Sequence, residues 1–275
     1  YLGNEDIPEL HEHKKAASTW GTWDHNTFQE ASKRFAAARK PFLGYVFTST
    51  THIPWLIPDG RWAKYTGGKD LDRALNALYY ADWALGEFFT AARKAGYYDN
   101  TIFILTADHV SGFAGKAGNV PSMHHVPLLV IAPGLRAGTN AHTGGQVDVI
   151  PTIAALAGWR VAHAGLGHSL VNPPRHAVHG TLTVRGNIIE RIEDQGWVAH
   201  DLRKRISASP GTDEKQHAEM EKRLLAMYEV THTLLLNNHI APSMQETAMP
   251  THRADATRST GEAVAENQAP GRKQQ

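Results

Sequence analysis

Asp108 and His109 stand side by side after the apolar run Ile102-Phe-Ile-Leu105 and before a loop that contains Gly112. A carboxylate supplies a hard oxygen and an imidazole a borderline nitrogen, donors suited to Zn²⁺ or Mn²⁺. The apolar run has no alternation, so it reads as a strand covered on both faces. Residues just past the carboxyl end of such a strand lie where open α/β sheets keep their sites. A second loop has the same placement. Thr48-Ser-Thr-Thr-His52-Ile-Pro-Trp55 follows Phe42–Thr48, which reads as another buried strand. Its four consecutive hydroxyls could serve as nucleophiles, yet at a strand end such groups usually satisfy turns and caps, and they are read that way. His163, His168, His176 and His179 are spaced too irregularly for a known metal-site type and are read as surface residues.

The elements that must position these loops follow from periodicity. Residues 26–39 read as a short amphipathic helix with Phe28 and Phe35 a heptad apart. Residues 69–95 carry Leu71, Leu75, Leu78, Ala81, Leu85, Phe88 and Phe89 at helical spacing, and Gly96 closes that helix. Val126 to Ala132 read as a buried strand stopped by Pro133-Gly134. Residues 148–157 read as a helix with Asp148 as N-cap, Pro151 in its first turn and Gly158 after its end. Helices between strands imply an α/β fold with a largely parallel sheet covered on both faces. In that arrangement His124, which precedes its strand, would leave at the wrong edge unless the loop 110–123 carried it back.

Further along, Val178–Val184 and Ile188–Asp201 alternate as an antiparallel pair turning at Arg185-Gly186-Asn187. Residues 213–236 form a final helix, with the Arg and Lys residues of 203–223 on a solvated face. Trp20 and Trp23 read as packing residues. From about 243 the chain loses periodicity and reads as disordered.

Composition removes several function classes. The 275 residues include no cysteine, which excludes disulfides, thiolate metal sites and cysteine nucleophiles. Net charge is +1 without a basic run, so no nucleic-acid footprint is expected. No 18-residue apolar run is present to span a membrane. The chain starts at Tyr1 rather than Met and reads as part of something longer.

Five segments in order resemble the alkaline-phosphatase-like superfamily, in its sulfatase and lipoteichoic-acid-synthase-like branch. They are Lys40-Pro-Phe with Thr51-His52-Ile-Pro54, Asn100 to His109, His125 to Gly134, Gln146 to Thr152 with Leu156-Ala-Gly158, and Gly165-Leu-Gly-His-Ser-Leu170. Trp20-Gly-Thr-Trp-Asp24 resembles what precedes the histidine loop in the synthase branch. The resemblance covers residues 40–170 most specifically and does not extend past 205.

That resemblance implies a metal-dependent transferase or hydrolase of phosphate or sulfate esters. Asp108 and His109 match the family's metal-binding pair, for Mn or Zn in a transferase and Ca or Mg in a sulfatase. His52 matches the histidine that approaches the transferred group, as a catalytic and substrate-binding residue. His124 resembles a substrate-binding histidine of phosphoethanolamine transferases. The family's acidic ligand and nucleophile strand would precede Tyr1, and Val110 stands where the family usually has glycine.

The expected organisation is therefore the C-terminal half of a catalytic domain over 1–175. An antiparallel hairpin with a packed helix would follow over 176–242, and a disordered tail over 243–275. The parent protein would move phosphoglycerol or phosphoethanolamine from a phospholipid to a cell-envelope acceptor. Upstream helices would anchor it in the inner membrane, with its catalytic domain facing the periplasm or exterior. Sulfatase or phosphodiesterase hydrolysis is the close alternative, and a non-catalytic module that keeps the fold is a third. With two ligands and no nucleophile, the chain alone is expected to bind metal weakly and not turn over.

Overall fold

The computed structural model describes residues 21–113, 118–159 and 165–239. The tail expected to be disordered, Trp20 and His163 lie outside the described residues. Helix α1 (Asp24–Ala37) and helix α2 (Asp70–Ala95) come first, and Gly96 closes α2 in the left-handed region at φ +79°. A two-stranded sheet follows, formed by β1 (Phe103–Thr106) and β2 (Leu128–Ile131), and then the short helix α3 (Val149–Leu156). Strands β3 (Gly180–Arg185), β4 (Ile188–Glu193), β5 (Gly196–His200) and β6 (Arg205–Ala208) form a meander. Helix α4 (Glu214–Leu236) ends the described chain, its first turn capped by Asp213, whose side chain accepts the Gln216 N–H.

The α/β class and the antiparallel C-terminal addition are as expected, but the strand directions need correction. β1 and β2 pair antiparallel, with Phe103 opposite Ile131 and Thr106 opposite Leu128. Among the described residues between them no α-helix makes the crossover that parallel neighbours require. The second strand of the expected hairpin is in fact two, because the chain turns again at Asp194-Gln195. All pairs in the sequential order β3-β4-β5-β6 are antiparallel. Residues 42–48 form no strand. Among the described residues no strand pairs with them; the Phe42 ring packs on Phe35 at 5.0 Å, but Leu43 and Tyr45 are 69% and 85% exposed.

Helix α2 buries a different face from the one its leucines suggest. Ala74, Ala77, Tyr80, Ala84, Phe88 and Ala92 are buried, whereas Leu71 and Leu78 are exposed. The alanines let α1 approach closely, and Phe28 and Phe35 of α1 pack with Phe88, Ala92 and Phe103. Trp23 packs with Trp62, Tyr80 and Ala84, in accord with its packing role.

The meander has two distinct faces because side chains alternate along a strand. Ile189 and Val198 face α4 through Met220 and Leu224. Ile192, Trp197 and Ala199 instead receive Val120 from the loop that precedes β2. The solvated reading of the basic residues at 203–223 fails at two positions. Arg223 forks onto Glu193 at 2.7 and 2.8 Å, and Arg205 pairs with Glu214 and Glu221.

Candidate active site

Asp108 lies two residues beyond β1, in a loop held by Gln146. The Gln146 side-chain amide donates to the carbonyls of Ala107 and Asp108, both at 2.9 Å. The Asp108 and His109 side chains remain 59% and 68% exposed. His109 Nδ1 lies 2.8 Å from the Val110 carbonyl. A carbonyl can only accept, so Nδ1 carries the proton and the neutral ring keeps its lone pair on Nε2. That Nε2 lies 3.5 Å from Asp108 Oδ2. Two ligands in a tetrahedral zinc-like site with bonds of about 2.1 Å sit roughly 3.4 Å apart. By that separation, carboxylate and imidazole fit as two ligands of one divalent cation. Among the described residues no group of three His, Asp or Glu could hold a metal ion.

The His52 loop is organised from α1. Asp24, buried at the start of that helix, accepts the backbone N–H groups of Ser49 and Thr50 at 3.1 and 3.0 Å and the Thr50 hydroxyl at 2.7 Å. The turn role expected for the hydroxyl cluster thus holds for Thr50, which is buried. His52 repeats the pattern of His109, since its Nδ1 lies 2.8 Å from the Ile53 carbonyl and Nε2 keeps the lone pair. The His52 and Asp108 loops meet through Trp55 and Phe113, whose rings are 5.3 Å apart. Below this loop, His25 Nδ1 contacts the Tyr80 hydroxyl at 2.6 Å, and burial pushes the Tyr80 phenol far above its ordinary range.

His124 is where strand direction matters most. Because Thr106 faces Leu128, the start of β2 lies at the end of β1. The wrong-edge expectation, which assumed parallel strands, is overturned: His124 leaves at the edge that carries Asp108. Its Nε2 is bound at 2.7 Å to Glu190 Oε2 in the middle of β4.

The histidines beyond α3 also need correction. His168 and His179 are not simply surface residues, although His176 is exposed. His142 stacks on His179 at 4.0 Å, and the His168 ring lies 5.6 Å from His179. His142 donates to Asp194 at 2.6 Å, and the Thr143 N–H donates to the same carboxylate at 2.6 Å. Burial raises the Asp194 carboxyl, but these hydrogen bonds together outweigh it and leave Asp194 below its ordinary value. Asp148, expected as a side-chain N-cap, instead accepts the Gly145 and His168 N–H groups at 2.8 Å each. The loop before α3 and the loop at 168 are thereby tied together.

Three organising residues went unassigned from the sequence. Asp24 and Gln146 fall inside the recognised segments and so had a signal. Glu190 had only a weak one, a carboxylate in an alternating strand.

Residues 1–159 match the family model described as Sulfatase. Lipoteichoic acid synthase 1 of Bacillus subtilis is 30% identical over 155 residues, which cover 50% of this chain and 24% of the relative. The lipoteichoic acid synthase of Staphylococcus aureus strain USA300 is 28% identical over 155 residues, with the same shares covered. The chain spans about a quarter of the length of these curated relatives. Among solved structures, a protein of the alkaline phosphatase superfamily from Vibrio parahaemolyticus superposes with a TM-score of 0.69 at 23% identity. The match covers 84% of this chain and 60% of that one. A lipoteichoic acid synthase from Listeria monocytogenes superposes at 0.67 with 17% identity, over 88% of this chain and 63% of that one. The fold is that of the alkaline phosphatase superfamily.

Proposed function

The chain belongs to the sulfatase family, and from that premise we propose that it is the metal-binding part of a transferase. The enzyme would move a phosphoglycerol or phosphoethanolamine group from a phospholipid to a cell-envelope acceptor. The observation that carries the reading is the pair Asp108 and His109, with Oδ2 and Nε2 3.5 Å apart on a loop in contact with the His52 loop. The likeness to lipoteichoic acid synthases supports transfer over simple hydrolysis. The Sulfatase description of the matching family supports sulfate or phosphate ester hydrolysis as the second reading.

In this proposal Asp108 and His109 hold a divalent ion, Mn or Zn for the transferase and Ca or Mg for a sulfatase. Such an ion polarises phosphoryl oxygens and lowers the pKa of the attacking hydroxyl. The Nδ1–H bond of His109 to Val110 keeps Nε2 turned to the ion. Gln146 keeps the loop backbone still beneath it. His52, on a loop fixed by Asp24, holds its Nδ1–H on the Ile53 carbonyl, so its Nε2 would first take up a proton and then give it to a phosphoryl oxygen or to the leaving group. His124 contacts the transferred group from the start of β2. The nucleophile and an acidic ligand come from sequence outside these 275 residues. That sequence would also carry the helices that anchor the enzyme in the inner membrane, with this region on the periplasmic or exterior side. Among the described residues no helix is long and apolar enough to cross a membrane.

Metal analysis after dialysis against Mn²⁺ or Zn²⁺ tests the reading. The chain should retain metal weakly and lose it on Asp108→Ala. A chain that takes up no metal under any loading condition would leave only a non-catalytic module. Together with its nucleophile segment, the protein should cleave a model phosphodiester. His52→Ala should then lower kcat by roughly 10²- to 10⁴-fold with metal content intact. Turnover by the 275-residue chain alone would place the nucleophile among Thr48, Ser49 and Thr51, since Thr50 is buried on Asp24.

A further inference from the structure

Glu190 is 0% exposed in the centre of β4, on the face that otherwise packs Ile192, Trp197 and Ala199 against Val120. A carboxylate in such surroundings is costly unless every lone pair finds a donor. Three donors are supplied from two directions. Thr183, its cross-strand neighbour in β3, donates to Oε2 at 3.0 Å, and Arg185 donates to Oε1 at 3.2 Å. The third is His124 Nε2 at 2.7 Å, from a loop 66 residues earlier in the chain.

The imidazoles at the site edge are therefore held in opposite senses. His52 and His109 spend Nδ1–H on a neighbouring carbonyl and keep the Nε2 lone pair. His124 spends Nε2–H on a buried carboxylate, so its lone pair lies on Nδ1. His124 is set by a charged partner that is itself held by Thr183 and Arg185 of the meander. A carboxylate behind an imidazole fixes both tautomer and ring orientation.

We propose that Glu190 is a positioning residue that sets the tautomer and orientation of His124, which makes the four-stranded meander a working part of the active site. The inference rests on the reading of His124 as a contact to the transferred group. Thr183 and Arg185 hold the carboxylate, Glu190 holds the ring, and Nδ1 is left to meet the substrate.

Long-range ¹H–¹⁵N spectra of the histidine rings in the 275-residue chain test the first step. His124 should show a single Nε2–H tautomer. Glu190→Gln should convert it to a tautomer mixture, and Thr183→Val, a loss in the same network, should leave it unchanged. An Nδ1–H or mixed His124 in the unmodified chain overturns the proposal, whether or not any variant folds.

In the catalytically competent protein, Glu190→Gln should lower kcat about 10- to 100-fold, the usual effect of removing such a partner, with KM within about twofold. Added to His124→Ala it should lower kcat no further, because the two act as one unit. Normal activity of His124→Ala defeats the reading of His124. An impaired His124→Ala beside a normal Glu190→Gln defeats the role of Glu190 alone.

Discussion

The region up to residue 159 and the meander with α4 obey opposite rules. The first carries the family match and every candidate ligand, yet it leaves apolar side chains uncovered. Phe42, Leu43, Tyr45 and Phe47 are exposed, and so are Leu71 and Leu78 on α2. The meander with α4 carries no recognised motif, yet the meander packs apolar side chains on both of its faces and its buried charges are paired. The contrast teaches that chemistry-bearing loops here sit on a scaffold that does not cover its own apolar surface. The meander is joined to them by Val120 packed on one of its faces, by His124 on Glu190, and by His142 and Thr143 on Asp194.

The sharpest way to break this comparison is to compare stability losses in the two regions. Leu224→Ala in α4 removes a fully buried side chain packed with Met220 and Val198, and should cost about 2–5 kcal/mol in chemical denaturation. Asp108→Ala, at an exposed site, should stay within about 0.5 kcal/mol of the parent. Equal losses would show that the regions are not distinct.

Asp24→Ala should come next, at roughly 1.5–3 kcal/mol, because a buried carboxylate leaves three donors behind. Amide exchange at Ser49 and Thr50 should quicken while the meander amides stay protected. Exchange that quickened throughout the chain would contradict a local role.

Gln146→Ala should weaken Mn²⁺ or Zn²⁺ binding by about 10- to 100-fold in calorimetry without changing the Asp108 and His109 ligands. Unchanged affinity would mean that the loop needs no support from beneath.

The smallest effect concerns pH. Asp194 has a depressed pKa, so its contribution is complete above the ordinary carboxylate value and is lost as pH falls through the lower folded value. Asp194→Asn should therefore cost under about 1 kcal/mol at neutral pH, given its partial exposure, and the difference should vanish in strong acid. A difference that grew on acidification would reverse the sign of this argument.

The sequence by itself determined the parts governed by neighbouring residues. Helix α2 was legible from its period and from Gly96, and β1 and β2 from unbroken apolar runs. Asp108, His109 and His52 were legible as loop residues beyond strand-like runs, and the family from five segments in order. Residues 42–48 show the limit of such local reading. An apolar run becomes a buried strand only when other strands pair with it and a layer covers it. Tertiary structure alone decided that β1 and β2 run antiparallel, and so that His124 shares an edge with Asp108. It also decided that Glu190 faces His124, that Asp24 holds the His52 loop and that Ala77 rather than Leu78 faces the core. Those outcomes depend on strand direction, on register and on which buried charge finds which donor. Each joins residues tens of positions apart, where no local pattern reaches.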